Sequence, residues 1–96
     1  MITLTSPSNG EVYSAGDIIL IRGNITDDKF IAEGHIHVTN LNTNALLMDI
    51  HLAPGGKTAG FDQFIVASAG FNYKIQVIAK DRAVNETIST VLVSCN

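Results

Sequence analysis

Apolar and polar residues alternate along most of this chain, in short segments separated by turn-forming residues. Alternation with a period of two puts successive side chains on opposite faces of an extended strand, so each segment predicts a β-strand. The segments with this pattern, apart from a short edge piece at 11–13, are residues 2–5, 18–23, 35–39, 46–52, 61–67, 71–79 and 87–93. About seven short strands and no long segment of helical periodicity indicate a small all-β sandwich.

The same alternation predicts which side chains are buried. The residues expected in the core are Leu4, Ile19, Ile21, Ile36, Val38, Ile50, Tyr73, Ile75 and Val77. Between the strands, residues 24–28 have the composition of a polar loop, and 29–33 have room for a single helical turn. Residues 41–44 predict a tight turn, because asparagine tolerates a positive φ.

Length and composition restrict the class of protein. A chain of 96 residues, 46% of them hydrophobic, predicts one packed domain spanning 1–96. The net charge is −3 and no basic cluster is present, which argues against a nucleic-acid partner or an anionic membrane surface. No apolar run approaches the roughly 18 residues of a membrane span. Cys95 is the single cysteine, so we expect no internal disulfide and an inert thiol at a frayed terminus.

All three histidines fall in one predicted hairpin. With a loop at 42–44, Thr39 would pair with Leu47, His37 with Asp49, and His35 with His51. Opposed residues have Cβ atoms about 4.5–5.5 Å apart, so the imidazoles and the carboxylate would share one outward face. The inward face would carry the apolar residues of the same two strands, namely Ile36, Val38, Met48 and Ile50.

This patch has two interpretations. His35, His37, His51 and Asp49 supply the ligand types of a zinc site with an open position for water, and copper or nickel accept the same donors. The alternative is an ordinary polar face of an antiparallel pair, in which an Asp49–His37 contact contributes under about 1 kcal/mol. The domain needs no cofactor for its fold, so zinc or copper is an optional ligand here.

A second group of candidate ligands lies at the strand ends. Asp27 and Asp28 follow the second strand, and Asp81 and Asn85 follow the sixth, so we expect both pairs at the same end of the sandwich. Carboxylate and amide oxygens are calcium ligands. The simpler interpretation is that these side chains cap local N–H groups and form turns.

The sequence lacks the motifs of common catalytic sites. We find no G-x-S-x-G, no phosphate-binding loop, no G-x-G-x-x-G and no C-x-x-C, and the carboxylates are scattered. We therefore expect a protein that is not an enzyme.

Several turn motifs coincide with those of a known family. The chain has TSPSNG at 5–10, AGD at 15–17, TDD at 26–28 and AKDRAVN at 79–85. This pattern resembles bacterial immunoglobulin-like domains of the Big or fibronectin-III-like kind, the modules of secreted and surface proteins. Val84 stands where those domains usually have glycine, and the absence of tryptophan excludes the Trp-on-disulfide core of antibody domains.

The resemblance implies an immunoglobulin-like Greek-key β-sandwich of about seven antiparallel strands. It also implies a non-catalytic binding, spacer or adhesion module of a bacterial secreted, periplasmic or cell-envelope protein, such as a lipoprotein. We expect the chain to be an excised or mature part whose signal sequence lies outside it. Its protein or carbohydrate partner cannot be read from the residues. A homodimer through a sheet face is a further expectation, because Ile18, Leu20, Leu47 and Ile78 fall on outward faces. The alternative function is a metal-binding domain built on the histidine hairpin.

Overall fold

The computed structural model describes residues 1–52, 56–81 and 85–96, with the side chains of Asp28 and Lys29 excepted. Within these ranges the chain forms seven strands and no helix: β1 (Ile2–Ser6), β2 (Val12–Tyr13), β3 (Ile18–Asn40), β4 (Ala45–Leu52), β5 (Gly56–Val66), β6 (Asn72–Asp81) and β7 (Glu86–Cys95). The predicted all-β class is confirmed. None of the described segments is a helix that could span a membrane. Val84 lies outside the described residues.

The long strand β3 belongs to both layers of the sandwich. Its first part, up to Thr26, pairs with β1 on one side and β5 on the other. Its second part, from Ile31, pairs with β4 and β6, and β6 continues through β7 to β2. The register shifts between Thr26 and Ile31, where β3 passes from one layer to the other. Between the strands that the structure describes, five of the six pairings are antiparallel, whereas β2 runs parallel to β7.

The predicted loop at 24–28 and the predicted helical turn at 29–33 are wrong, because both segments are extended parts of β3. Local composition favoured a loop, but β1 and β5 hydrogen-bond to this segment as far as Thr26. Ile25 and Ile31, on either side of the polar residues, are almost completely buried. Burial of these two side chains and pairing with neighbouring strands outweigh the weak local preference.

The core lies between the two layers. Of the nine predicted core residues, seven are buried, and Leu4 and Ile50 are partly buried against the same cluster. The cluster also includes residues that the alternation did not single out: Ile25, Ile31, Phe61, Ala67, Ala79, Val93 and Cys95. The expectation of a frayed terminus at Cys95 is wrong, because Cys95 is buried at the end of β7 and pairs with Tyr13.

Two tyrosines fix the chain near the end of the sandwich that holds Cys95. The Tyr73 side chain is buried at the start of β6, and its hydroxyl accepts a hydrogen bond from the Ser68 N–H at 2.9 Å. A buried tyrosine bonded to backbone a few residues upstream is the tyrosine corner of immunoglobulin-like sandwiches. Tyr13 donates from its hydroxyl to Oε2 of Glu11 at 2.7 Å. Burial, followed by this bond and the charge of Glu11, raises the pKa of Tyr13.

Candidate metal centre

The β3–β4 hairpin has the predicted register over most of its length. His35 lies opposite His51 and His37 lies opposite Asp49. The turn at 41–44 is present, and Asn44 adopts the expected positive φ, at 58°. A register shift after Val38 pairs Thr39 with Leu46, so the predicted pairing of Thr39 with Leu47 is wrong. The loop is one residue longer than predicted, and Leu47 is the extra residue of the bulge.

The two faces of the hairpin separate as predicted. Ile36 and Val38 are fully buried, and Met48 and Ile50 pack against the core. The three histidines and Asp49 lie together on the outer face, but they are not equally exposed. The exposed fraction of the side chain is 18% for His35, 29% for His37 and 70% for His51. His35 and His37 are on β3, which has neighbours on both sides, whereas β4 pairs only with β3 in the described sheet.

The imidazoles converge on one carboxylate oxygen. Oδ1 of Asp49 is 3.1 Å from Nε2 of His37, 3.7 Å from Nδ1 of His35 and 3.7 Å from Nε2 of His51. The His35 and His51 rings are edge-on to each other, with centroids 4.2 Å apart. His35, His37 and Asp49 each offer a ligand atom, and these three atoms lie within 4.8 Å of one another. We call the four side chains of His35, His37, Asp49 and His51 the histidine cluster.

Glu33 and Lys80 extend the histidine cluster along the outer face. Nε2 of His35 is 3.7 Å from Oε2 of Glu33, and the other Glu33 oxygen is 3.6 Å from Nζ of Lys80. The sequence interpretation missed Glu33, because it assigned 29–33 to a helical turn. Had this segment been read as strand, the spacing of two residues would have placed Glu33 on the face of His35 and His37.

The candidate calcium ligands have other surroundings. Asp81 is buried and accepts hydrogen bonds from the Asn85 backbone N–H at 3.0 Å and from the Asn85 side-chain amide at 3.3 Å. These hydrogen bonds agree with the simpler interpretation, in which Asp81 and Asn85 form a local turn. Asp27 lines a groove with Met1, Thr26 and Lys57, and the Asp28 side chain lies outside the described part of the structure. Among the described residues, these carboxylates do not appear in a group of three or more potential ligands within 4.8 Å. The calcium hypothesis therefore stays a prediction.

A second surface feature is apolar and lies on the other layer. Ile18 is opposite Val66 and Leu20 is opposite Phe64, so the four side chains share the outer face of β3 and β5. Ile18, Phe64 and Val66 are more than half exposed, and Leu20 is partly exposed. Of the four positions expected to be exposed, Ile18 and Leu47 are exposed and Leu20 and Ile78 are only partly so. We call Ile18, Leu20, Phe64 and Val66 the outer patch.

Together, the two layers, the shared core and the tyrosine corner define an immunoglobulin-like β-sandwich, as the sequence predicted. A search of solved structures finds the same fold in the fibronectin(III)-like modules of CbhA from Clostridium thermocellum. The match has a TM-score of 0.61 and 23% sequence identity, and it covers 99% of this chain and 96% of that module chain. No protein-family model and no curated protein sequence matches the chain. The likeness confirms the fold, and the fold is that of a fibronectin-III-like module.

Proposed function

We propose that this domain is a non-catalytic spacer module of a bacterial secreted or cell-surface protein, with a capacity to bind a neighbour. The single observation that carries the proposal is where residues 1 and 96 lie in the sandwich. Modules that work in series need a chain that enters at one end and leaves at the other.

Met1 lies at the end where β3 changes layers. Its carbonyl accepts a hydrogen bond from the Thr26 N–H at 2.7 Å, and it lines a groove with Lys57 and Thr58. Asn96 lies at the opposite end, where its N–H donates to the Tyr13 carbonyl at 2.9 Å. The same end holds the tip of the β3–β4 hairpin, since the Leu41 N–H bonds to the Asn72 carbonyl. The longest dimension of the domain is 41 Å, so each copy in a series would add about that length.

The similar structure supports a modular role. CbhA contains more than one fibronectin(III)-like module, and the match covers 96% of the chain in that structure. The sequence motifs point to the same class of module. A non-catalytic role agrees with the lack of catalytic motifs in the sequence and with the division of the strands into an apolar inner face and a mostly polar outer face.

A spacer has to keep its ends apart under load, and single-molecule force spectroscopy tests this directly. The domain is placed between known marker domains and pulled through residues 1 and 96. Because β1 and β7 hold the two ends, force applied there shears strand pairs along their length. We expect one cooperative unfolding peak with an extension of about 300 Å, the contour length of the chain less its folded length. Gradual extension at low force, without a peak, would contradict the spacer role.

A further inference from the structure

We propose that the histidine cluster binds one divalent transition-metal ion of the zinc class. The ligands are Nδ1 of His35, Nε2 of His37 and Oδ1 of Asp49, and the fourth position is taken by His51 or water. This site goes beyond the spacer role, and neither proposal depends on the other. Its structural effect would be to tie β4 to the central strand β3.

The spacing of the ligand atoms fits a metal better than it fits hydrogen bonds. Zinc binds imidazole nitrogen at about 2.0–2.1 Å, and a tetrahedron of that size has ligand-to-ligand edges of about 3.3 Å. The three nitrogen atoms are 3.1–3.7 Å from Oδ1 of Asp49, which brackets this edge. A separation of 3.7 Å is too long for a hydrogen bond. Two of the three imidazoles therefore point at the carboxylate without a direct bond to it.

His35 provides the second observation. Its Nδ1 is shielded from solvent and has no hydrogen-bond partner in the described part of the chain, which is costly for a buried polar atom. A metal ion between this nitrogen and Asp49 would satisfy it. The opposite nitrogen, Nε2, faces the carboxylate of Glu33 at 3.7 Å. Metal-binding histidines are commonly oriented by a carboxylate that accepts a hydrogen bond from the ring nitrogen that does not bind the metal. Glu33 lies on that side of the ring, and it has to move closer to accept such a bond.

The fold holds two of the ligands in place before an ion binds. His35 and His37 stand on a strand flanked by β4 and β6, and the residue between them, Ile36, is fully buried. Asp49 lies directly opposite His37 across the hairpin. Ligands on rigid strands lose little freedom on binding. His51 is the most exposed ligand, and its side chain has room to turn toward the ion.

The donor types select the class of metal. Two or three imidazoles and one carboxylate suit zinc, copper and nickel, whereas calcium takes six to eight oxygen ligands. The distances of 3.1–3.7 Å from Oδ1 of Asp49 to the three nitrogen atoms match the edge of a tetrahedral site, which is the geometry of zinc.

Isothermal titration of the purified, metal-free chain with zinc chloride tests the proposal. We expect one zinc ion per chain with a dissociation constant in the micromolar range, no binding of calcium, and loss of zinc binding in His37→Ala and in Asp49→Asn. Asp62→Asn is the matched control, because Asp62 is an exposed carboxylate on the other layer, paired with Arg22. Absence of zinc binding, or binding unchanged in both ligand variants, would overturn the proposal.

Two further measurements separate this site from zinc bound to an exposed imidazole. Glu33→Gln should weaken binding by about tenfold, as loss of an orienting carboxylate does in other metal sites. Nitrogen-15 NMR of the histidine rings in the unsubstituted protein should show zinc at Nδ1 of His35 and Nε2 of His37. This measurement needs no variant to fold. Perturbation confined to the His51 ring, with binding lost only in His51→Ala, would refute the assigned ligands.

Discussion

The Tyr73 side chain is almost fully buried, and among the described residues its hydroxyl has one hydrogen-bond partner, the Ser68 backbone N–H. Removing the hydroxyl in Tyr73→Phe leaves the ring packed but takes away this bond. A hydrogen bond of this kind contributes about 1 kcal/mol net. We therefore expect urea denaturation to give a free energy of unfolding about 1 kcal/mol lower than that of the unsubstituted chain.

Tyr13→Phe is the control for this prediction. The Tyr13 hydroxyl also donates a hydrogen bond, and its acceptor is the exposed side chain of Glu11. Water can replace a hydrogen-bond partner at the surface, so we expect Tyr13→Phe to lower the free energy of unfolding by less than Tyr73→Phe does. An equal loss in the two variants would mean that burial of the Tyr73 hydroxyl has no special importance.

At the scale of single residues, the histidine cluster was predicted more completely than its surroundings. Residues two apart on a strand share a face. This spacing separates His35 from His37 on β3 and Asp49 from His51 on β4, so the sequence predicts the shared outer face. The unequal exposure of the rings and the orphaned Nδ1 of His35 depend on neighbouring strands and side-chain rotamers, which no local pattern encodes.

Among the elements, β1 depends on one glycine of β3. A Cβ built on Gly23 would collide with the Thr3 carbonyl oxygen and come within 2.9 Å of Cζ of Phe61. The β1 backbone therefore approaches β3 more closely than any side chain at this position permits. Gly23→Ala should detach or shift β1, and we expect a lower thermal midpoint and faster amide hydrogen exchange in β1.

Gly60→Ala provides a matched comparison on the partner strand β5. A Cβ at Gly60 meets no atom within 4 Å, and its φ lies outside the range that favours glycine. We expect this variant to be as stable as the original or slightly more so, because alanine restricts the unfolded chain. Equal destabilisation by the two substitutions would show that close approach of β1 is not the cause.

Some strands could be predicted from the local sequence pattern and others could not. The β3–β4 hairpin was predicted because alternation and turn residues are both local signals. The passage of β3 between layers was not predicted. Residues 27–29 are charged, and the segment is extended because β1, β5 and β6 pair with β3 on either side of it. The bulge after Val38 was also missed, because Leu46 and Leu47 are both apolar and the sequence therefore does not mark which of them is the extra residue.

At the scale of the whole molecule, the outer patch is an apolar surface that the isolated sandwich leaves uncovered. Four apolar side chains in register on β3 and β5 form it, and the Arg22–Asp62 ion pair lies next along the same two strands. A two-fold dimer brings the same patch of both copies together, so a patch with an apolar centre and both charges can pair with itself. We therefore expect the partner of the outer patch to be a second copy of this domain.

The expected strength of this dimer follows from its area. Four partly exposed side chains bury a few hundred Å² per partner, whereas a stable interface buries about 800 Å². Sedimentation equilibrium should therefore show monomer at low concentration and dimer only at high concentration, and Phe64→Lys should remove the dimer. Ile88→Lys places the same charge on the outer face of the other layer, at a residue that is also about half exposed. If Ile88→Lys dissociates the dimer and Phe64→Lys does not, the molecule associates through the layer that carries the histidine cluster, and the assignment to β3 and β5 is wrong.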